Sequence, residues 1–485
     1  MNPELFVSIL ALTGAVIVIS ALLSGLVERS GLPQVAIFLA LGAVIGPAGL
    51  GLFDVSVDSP ILRVVATLSL ALVLFTDAVS LNIAEVRQHR LLAVLVLGPG
   101  TMASAALIAL AGKWLLDLPW AMAAILGAAL ASTDPVLLRG LVRRPGLDGS
   151  VRQALRLEAG LNDAALLPVV LVAMTVISQS APLTGREWAT IALDMLVLSP
   201  GAGVAVGLVA VAALELVRRR IGVRRDYESL YSLGVAFAAY AAAEAAHGSG
   251  FLAAFAAGIT IAALDVELCD CFLEYGETTA EMALLFTFVL FGTSIIWTGL
   301  GVVSRTTLLF TLAVLLIRPL AFLPALAPAR GLSWRNRGLI AWFGPRGLSS
   351  LLLVLLPVFA GLPGAEQLLT VCCLVVLVSV VVHGFSPMLL LRSRLRRGFG
   401  GQAKSGIPAS AKPGVASPEY IDSDELRLLQ QTGAPVVVVD ARSQRTFDES
   451  ELLAQGAVRI DPDRAVLEAE KKNLPRDAVL AVFCA

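Results

Sequence analysis

Two short stretches carry the side chains able to do chemistry: Ala131-Ser132-Thr133-Asp134-Pro135 and Glu158-Ala159-Gly160-Leu161-Asn162-Asp163. Each lies in the middle of a long apolar run, where a charged side chain costs at least ~2.5–3.5 kcal/mol and so marks a site. Pro135 suits the first position of a half-helix, and Asp134 or Thr133 suits its N-cap. A carboxylate, a hydroxyl and freed carbonyls, Ala131 first, would then meet at one break. Oxygens of this kind suit a hard monovalent cation, and the positive end of the second half-helix favours ionised Asp134. Glu158 and Asn162, four apart, share a helix face, with Asp163 about 100° further round. A buried charge is normally paired, and two basic residues, Arg318 and Arg346, lie deep in other apolar runs. The expectation is that Glu158 pairs with Arg318 first and Arg346 second, with Arg346 otherwise compensating a break in its own run. Asp163 is then left without a fixed cation, so a proton and a metal ion compete for it and each excludes the other.

The elements that hold these residues follow from composition. Of 485 residues, 57% are hydrophobic and 15% charged, against roughly 25% charged in soluble domains. The apolar runs are too long and too numerous for a soluble core, so the chain reads as an all-α polytopic membrane protein whose first partner is the lipid bilayer. About thirteen spans are expected, near 5–27, 33–52, 60–80, 91–112, 119–140, 151–178, 189–217, 227–246, 249–267, 278–300, 304–327, 336–361 and 366–391. The N-terminus lacks a basic stretch and a cleavage site, so the first run is expected to be a retained helix. With the odd-to-even loops and the tail on one side, that side holds nineteen arginines, including Arg139, Arg143, Arg144 and Arg152, against four basic residues opposite. The positive-inside rule puts the N-terminus outside and the tail in the cytoplasm. An acidic segment, 265–281, breaks the pattern on the cytoplasmic side. The cysteines show no metal-ligand spacing. His89, His247 and His383 are scattered and read as incidental. Nothing calls for nucleic acid, for a cofactor or for enzyme chemistry.

Thirteen spans divide into two six-helix halves joined by the seventh. Asp134-Pro135 interrupts the fifth span of one half, and Gly344-Pro345-Arg346-Gly347 the fifth of the other. Interruptions at matching positions point to inverted repeats with the site at the breaks, and hence to two broken, crossing helices. Three regions are expected: a membrane domain over 1–397, a flexible Gly-, Ser- and Pro-rich linker over 398–418, and a small cytoplasmic α/β domain over 419–485. In the last, Ser423 to Gln431 reads as a helix, and Pro435 to Asp440 and Ala478 to Phe483 as buried strands.

In these motifs the chain resembles the monovalent cation:proton antiporters of the sodium/proton exchanger branch. The resemblance rests on Leu32-Pro33 with Gly42 and Gly46-Pro47, Leu74-Phe75-Thr76-Asp77, Thr133-Asp134-Pro135, Glu158 through Asn162-Asp163, Arg318-Pro319 and Arg346-Gly347, in order across residues 5–395. It implies an inverted-repeat fold, a homodimer and a core that moves against a dimer scaffold. It also implies that Asp163 binds the ion with Thr133 and Asp134 beside it, and that Asn162, standing before the essential Asp, goes with one proton per cation. Several relatives carry a Ser after the Glu, where this chain has Ala159, which leaves sodium against potassium open. The tail resembles the rhodanese-like fold in Asp440-Ala441-Arg442 and Phe483-Cys484, without the active loop that would follow Cys484.

The function expected is exchange of Na+ or K+ for H+ across the inner membrane, electroneutral, through alternating access of Asp163. The rivals are a transporter-derived sensor signalling through its tail and a cation-coupled symporter.

Overall fold

The computed structural model describes residues 34–52, 54–81, 83–135, 137–138, 147–179, 183–220, 225–264, 270–329, 331–398, 436–441, 456–460 and 478–483, with isolated positions elsewhere. The expected first span apart from isolated positions, the start of the acidic segment (265–269), the linker, most of the tail helix, Arg139, Arg143, Arg144 and Cys484 lie outside the described residues.

Among the described residues the membrane unit is built from helices, with no strand. In chain order it contains α1 (Gln34–Ile45), α2 (Pro60–Val79), α3 (Ile83–Gln88), α4 (Arg90–Leu115), α5 (Trp120–Ala131) and α6 (Gly149–Ser178). Then follow α7 (Gly185–Val217), α8 (Arg225–Ala245), α9 (Gly250–Ala263) and α10 (Asp270–Thr293). The last helices are α11 (Arg305–Ala325), α12 (Trp334–Trp342), α13 (Leu348–Phe359) and α14 (Ala365–Gly398). Among the described residues, six helices are long and apolar enough to cross a bilayer alone, or seven if α10 and its continuation Ile295–Gly301, bent by 59°, form one span; α1, α5, α9 and α13 are shorter apolar helices. The short α3, between the third and fourth expected spans, was not foreseen.

Local chemistry sets the ends. Pro60 opens α2, where its missing N–H costs nothing. Asp148 caps α6 by accepting from the Ser150 N–H. Thr184 with Glu187 and Ser304 with Thr307 form capping boxes ahead of α7 and α11. Pro99 sits where α4 widens over Val96–Met102; the Thr101 hydroxyl donates back to the Val96 carbonyl at 3.0 Å, satisfying backbone that hydrocarbon could not.

Packing separates the helices into two sets. α1, α2 and α7–α10 pack mainly on one another, as do α4–α6 and α11–α14. Close backbone approach at small residues builds the first set: Gly42 of α1 lies on Gly292 of α10, Gly203 of α7 on Ala253 of α9, and Gly258 of α9 on Phe75 and Ala78 of α2. Without a hydrophobic drive between helices in lipid, such contacts supply the van der Waals attraction. Contact between the sets is thinner, chiefly the α10 continuation on α14, then α6 and α13 with α2.

The second unit, from residue 401, contains a parallel three-stranded sheet in the order β2-β1-β3, with β1 Val436–Asp440, β2 Val458–Arg459 and β3 Val479–Phe483. β1 and β3 fall where the apolar runs predicted strands; β1 is buried toward its end, but β3, expected to be buried as well, exposes Val479, Leu480 and Val482.

Candidate functional site: two broken helices crossing at Asp163

The helix begun at Trp120 stops at Ala131, runs extended through Ser132–Asp134 and resumes at Pro135. α12 and α13 are likewise separated by an extended stretch, residues 343–347. The two stretches meet: the Asp134 N–H donates to the Pro345 carbonyl at 2.9 Å.

A helix break inside a membrane exposes N–H and C=O groups that have no water to turn to. Here each break supplies the charge that the other one's helix ends require. The Asp134 carboxylate accepts from Leu348 N at the start of α13 (2.6 Å) and from Leu137 N in its own half-helix (3.3 Å). Arg346 donates from Nη1 to the carbonyls of Ala131 (2.6 Å) and Ser132 (3.1 Å) at the end of α5. An anion at N-termini and a cation at a C-terminus is the arrangement that helix dipoles favour. Two glycines permit the approach: a Cβ at Gly347 would collide with the Asp134 carboxylate, and one at Gly344 with the Arg318 guanidinium.

Glu158 and Arg318 form a fully buried, bidentate pair, with Arg318 Nη2 at 2.7 Å from Glu158 Oε2 and Nη1 on Oε1. The same Nη2 donates to the carbonyls of Ile340 (3.0 Å) and Phe343 (3.2 Å), capping the end of α12, and the guanidinium lies 4.1 Å over the Phe322 ring. The expected first partner of Glu158 is therefore the one found. Arg346 serves neither as its hydrogen-bonded partner nor as a cap for its own span. It caps the other broken helix, because the Ala131 carbonyl faces it across the crossing.

Asn162 and Asp163 reach the first break from α6. Asn162 Nδ2 donates to Thr133 Oγ1 at 2.6 Å, and Ser132 Oγ donates to Asp163 Oδ1. Asp163 is 2% exposed, and its Oδ2 has no hydrogen-bond partner among the described residues; the same holds for Asn162 Oδ1. The Ser349 hydroxyl faces Asp163 from the first turn of α13, and Asp134 lies nearby. The structure thus brings Thr133, Asp134, Asn162 and Asp163 together, with Glu158, Arg318 and Arg346 around them. The Ala131 carbonyl, expected among the oxygens open to a cation, is instead engaged by Arg346.

Sequence reasoning passed over Ser132 and Ser349 and read His383 as incidental. His383 is buried on α14, its Nδ1 3.1 Å from Ser379 Oγ, which accepts from the Arg346 N–H at 2.7 Å. It thereby braces the second break. A hydroxyl pair, Ser349-Ser350, one residue after Arg346-Gly347, and a histidine in an otherwise apolar run, were the available signals.

The sequence profile described as "Sodium/hydrogen exchanger, transmembrane" matches residues 16–392. The chain belongs to the sodium/hydrogen exchanger family. That family comprises transporters, not enzymes. Among curated relatives, the K(+)/H(+) antiporter NhaP2 of Shewanella sp. strain ANA-3 is 28% identical over 374 residues, 76% of this chain and 64% of that protein. The K(+)/H(+) antiporter NhaP of Alkalimonas amylolytica is 24% identical over 377 residues, 77% and 64% of the two chains. The Na(+)/H(+) antiporter ApNhaP of Aphanothece halophytica is 24% identical over 361 residues, 72% and 68%. The chain thus spans about 64% of the length of the first relatives it matches. Its fold is that of the sodium proton antiporter MjNhaP1 from Methanocaldococcus jannaschii, with a TM-score of 0.64 at 19% identity over 79% of this chain and 99% of that one. The exchanger match ends at residue 392, short of the tail sheet.

Proposed function

We propose that this exchanger-family chain trades one Na+ or K+ for one H+, both competing for Asp163. The observation that carries the proposal is a charge deficit. Among the described residues of the membrane unit, the buried carboxylates are Asp134, Glu158 and Asp163, and the buried guanidiniums are Arg318 and Arg346. Glu158 is matched by Arg318, and Asp134 and Arg346 each hold the helix ends of the other's break. The crossing is one positive charge short. An uncompensated buried charge costs several kcal/mol, so Asp163 crosses the membrane only with a proton or a monovalent cation on it. Either neutralises it, and both together do not fit the charge. One-for-one, electroneutral exchange follows. Relatives named K+/H+ and Na+/H+ antiporters support the class of transport.

In this reading Asp163 holds the cargo, Thr133 and Asn162 fix the adjoining strand of the break, and Asp134 keeps the two half-helices in register. Glu158 with Arg318 ties α6 to α11 and α12, so the crossing moves as one piece. Alternating access is then a shift of α4–α6 and α11–α14 against α1, α2 and α7–α10, which the thin contact between the two sets favours. The remaining parts of the reading are thirteen spans as two inverted repeats, a homodimer, an inner-membrane location with the N-terminus outside, and a cytoplasmic tail of rhodanese-like fold. The arginine asymmetry and the motifs support these.

The test is proton movement in inside-out vesicles holding a pH gradient. Adding Na+ or K+ should dissipate the gradient with the intact protein and leave it intact with Asp163→Asn. Folded protein that answers neither salt would overturn antiport in favour of a sensor or a symporter.

A further inference from the structure

The oxygens that sequence reasoning assigned to the cation are largely in use. The Ala131 carbonyl takes Arg346, the Asp134 oxygens take two backbone N–H groups, and Thr133 Oγ1 takes the Asn162 amide. Ala159, one helical turn before Asp163 on the same face, supplies no oxygen. The oxygens left against Asp163 come from elsewhere.

We propose that the hydroxyls of Ser132 and Ser349, one from each broken helix, are ligands of the transported cation beside Asp163, and set its choice between sodium and potassium. This rests on the antiport reading above. Ser132 Oγ already donates to Asp163 Oδ1. A hydroxyl keeps two lone pairs while it donates, so Ser132 can hold the carboxylate and a cation at once. Ser349 is 2% exposed and faces the same carboxylate. A serine within a helix ordinarily bonds to the carbonyl four residues back. For Ser349 that is Pro345, which instead accepts from the Asp134 N–H. Ser349 stands in the first turn of α13, just after the break, with its hydroxyl toward the site. Asp163 Oδ2, buried and without a hydrogen-bond partner among the described residues, completes a cluster of one carboxylate oxygen and two hydroxyls. Selectivity among alkali cations depends on the number and field strength of such dipoles. Because the two hydroxyls come from different half-helices, the ion bridges both breaks.

The test uses the purified full chain and two readouts: cation-dependent thermal stabilisation with Na+ or K+, and exchange in vesicles. Ser132→Ala and Ser349→Ala should each raise the cation concentration for half-effect about tenfold, the scale of one lost contact to a charge. They should also change the ratio between the two ions, while Ser→Thr at either position restores both. A purely structural role would lower stability without cation and leave the ion ratio unmoved. Ser349→Cys keeps the shape, so the same loss is expected should the alanine variant fail to fold. Wild-type response to both cations in alanine or cysteine variants, with exchange intact in the parent, overturns the proposal and leaves antiport standing. A parent that neither exchanges nor is stabilised by either salt overturns both.

Discussion

Glu158 and Asp163 sit just over a turn apart on one buried helix, yet their surroundings differ. Glu158 is held by a bidentate guanidinium that also caps the end of α12. Asp163 receives the Ser132 hydroxyl on one oxygen, and its other oxygen has no hydrogen-bond partner among the described residues. Burial alone therefore does not make a transport site. A carboxylate with its counter-ion built in is a structural joint, and one that lacks it must borrow a charge from solution.

The joint should be the more expensive to lose. Arg318→Ala leaves Glu158 unpaired and the Ile340 and Phe343 carbonyls uncapped, and should cost roughly 3–5 kcal/mol, the scale of a broken buried pair. Thermal unfolding in detergent measures it. Gly347→Ala drives a Cβ into the Asp134 carboxylate and should cost about 1–3 kcal/mol by overpacking, with transport reduced in proportion to the displaced break. Asp163→Asn removes an uncompensated buried charge. Its unfolding free energy without cation should stay within about 0.5 kcal/mol of the parent or rise, while exchange vanishes. If Asp163→Asn destabilised as much as Arg318→Ala, the contrast between joint and site would collapse. The mildest variant sharpens it: Ala159→Ser places a hydroxyl one turn from Asp163 and should leave stability and turnover intact while shifting the sodium-to-potassium ratio roughly threefold.

Outside the membrane, Asp148 offers a smaller check. Hydrogen bonds from Ser150, aided by Asn336, hold its carboxyl below the ordinary carboxylate range. Its capping of α6 is thus fully present above that range and fades only as pH falls through the lowered value. Asp148→Asn should change the melting temperature slightly near neutral pH and not at all in strong acid.

Several particulars were legible from residue types alone. Prolines placed the breaks near residues 134 and 345, because a ring without an N–H cannot continue a helix. The Glu158–Arg318 pair was legible because a buried charge needs an opposite one and few candidates existed. Arg346 was misplaced because sequence gives no distance between residues some 200 positions apart, and the nearest break seemed its own. Ser132 and Ser349 escaped notice, and His383 was read as incidental, because hydroxyls and imidazoles in apolar helices usually bond within their own helix.

By itself the sequence determined the apolar helices, the positions of both breaks and an excess of one buried acid over the bases, since hydropathy, proline geometry and charge are local properties. Only the tertiary structure decided that the crossed breaks cap each other, that Asp134 and Arg346 are used up in doing so, and that Asp163 keeps an oxygen with no partner among the described residues. Those outcomes depend on which backbone groups face one another across the bundle, and no single segment contains that information.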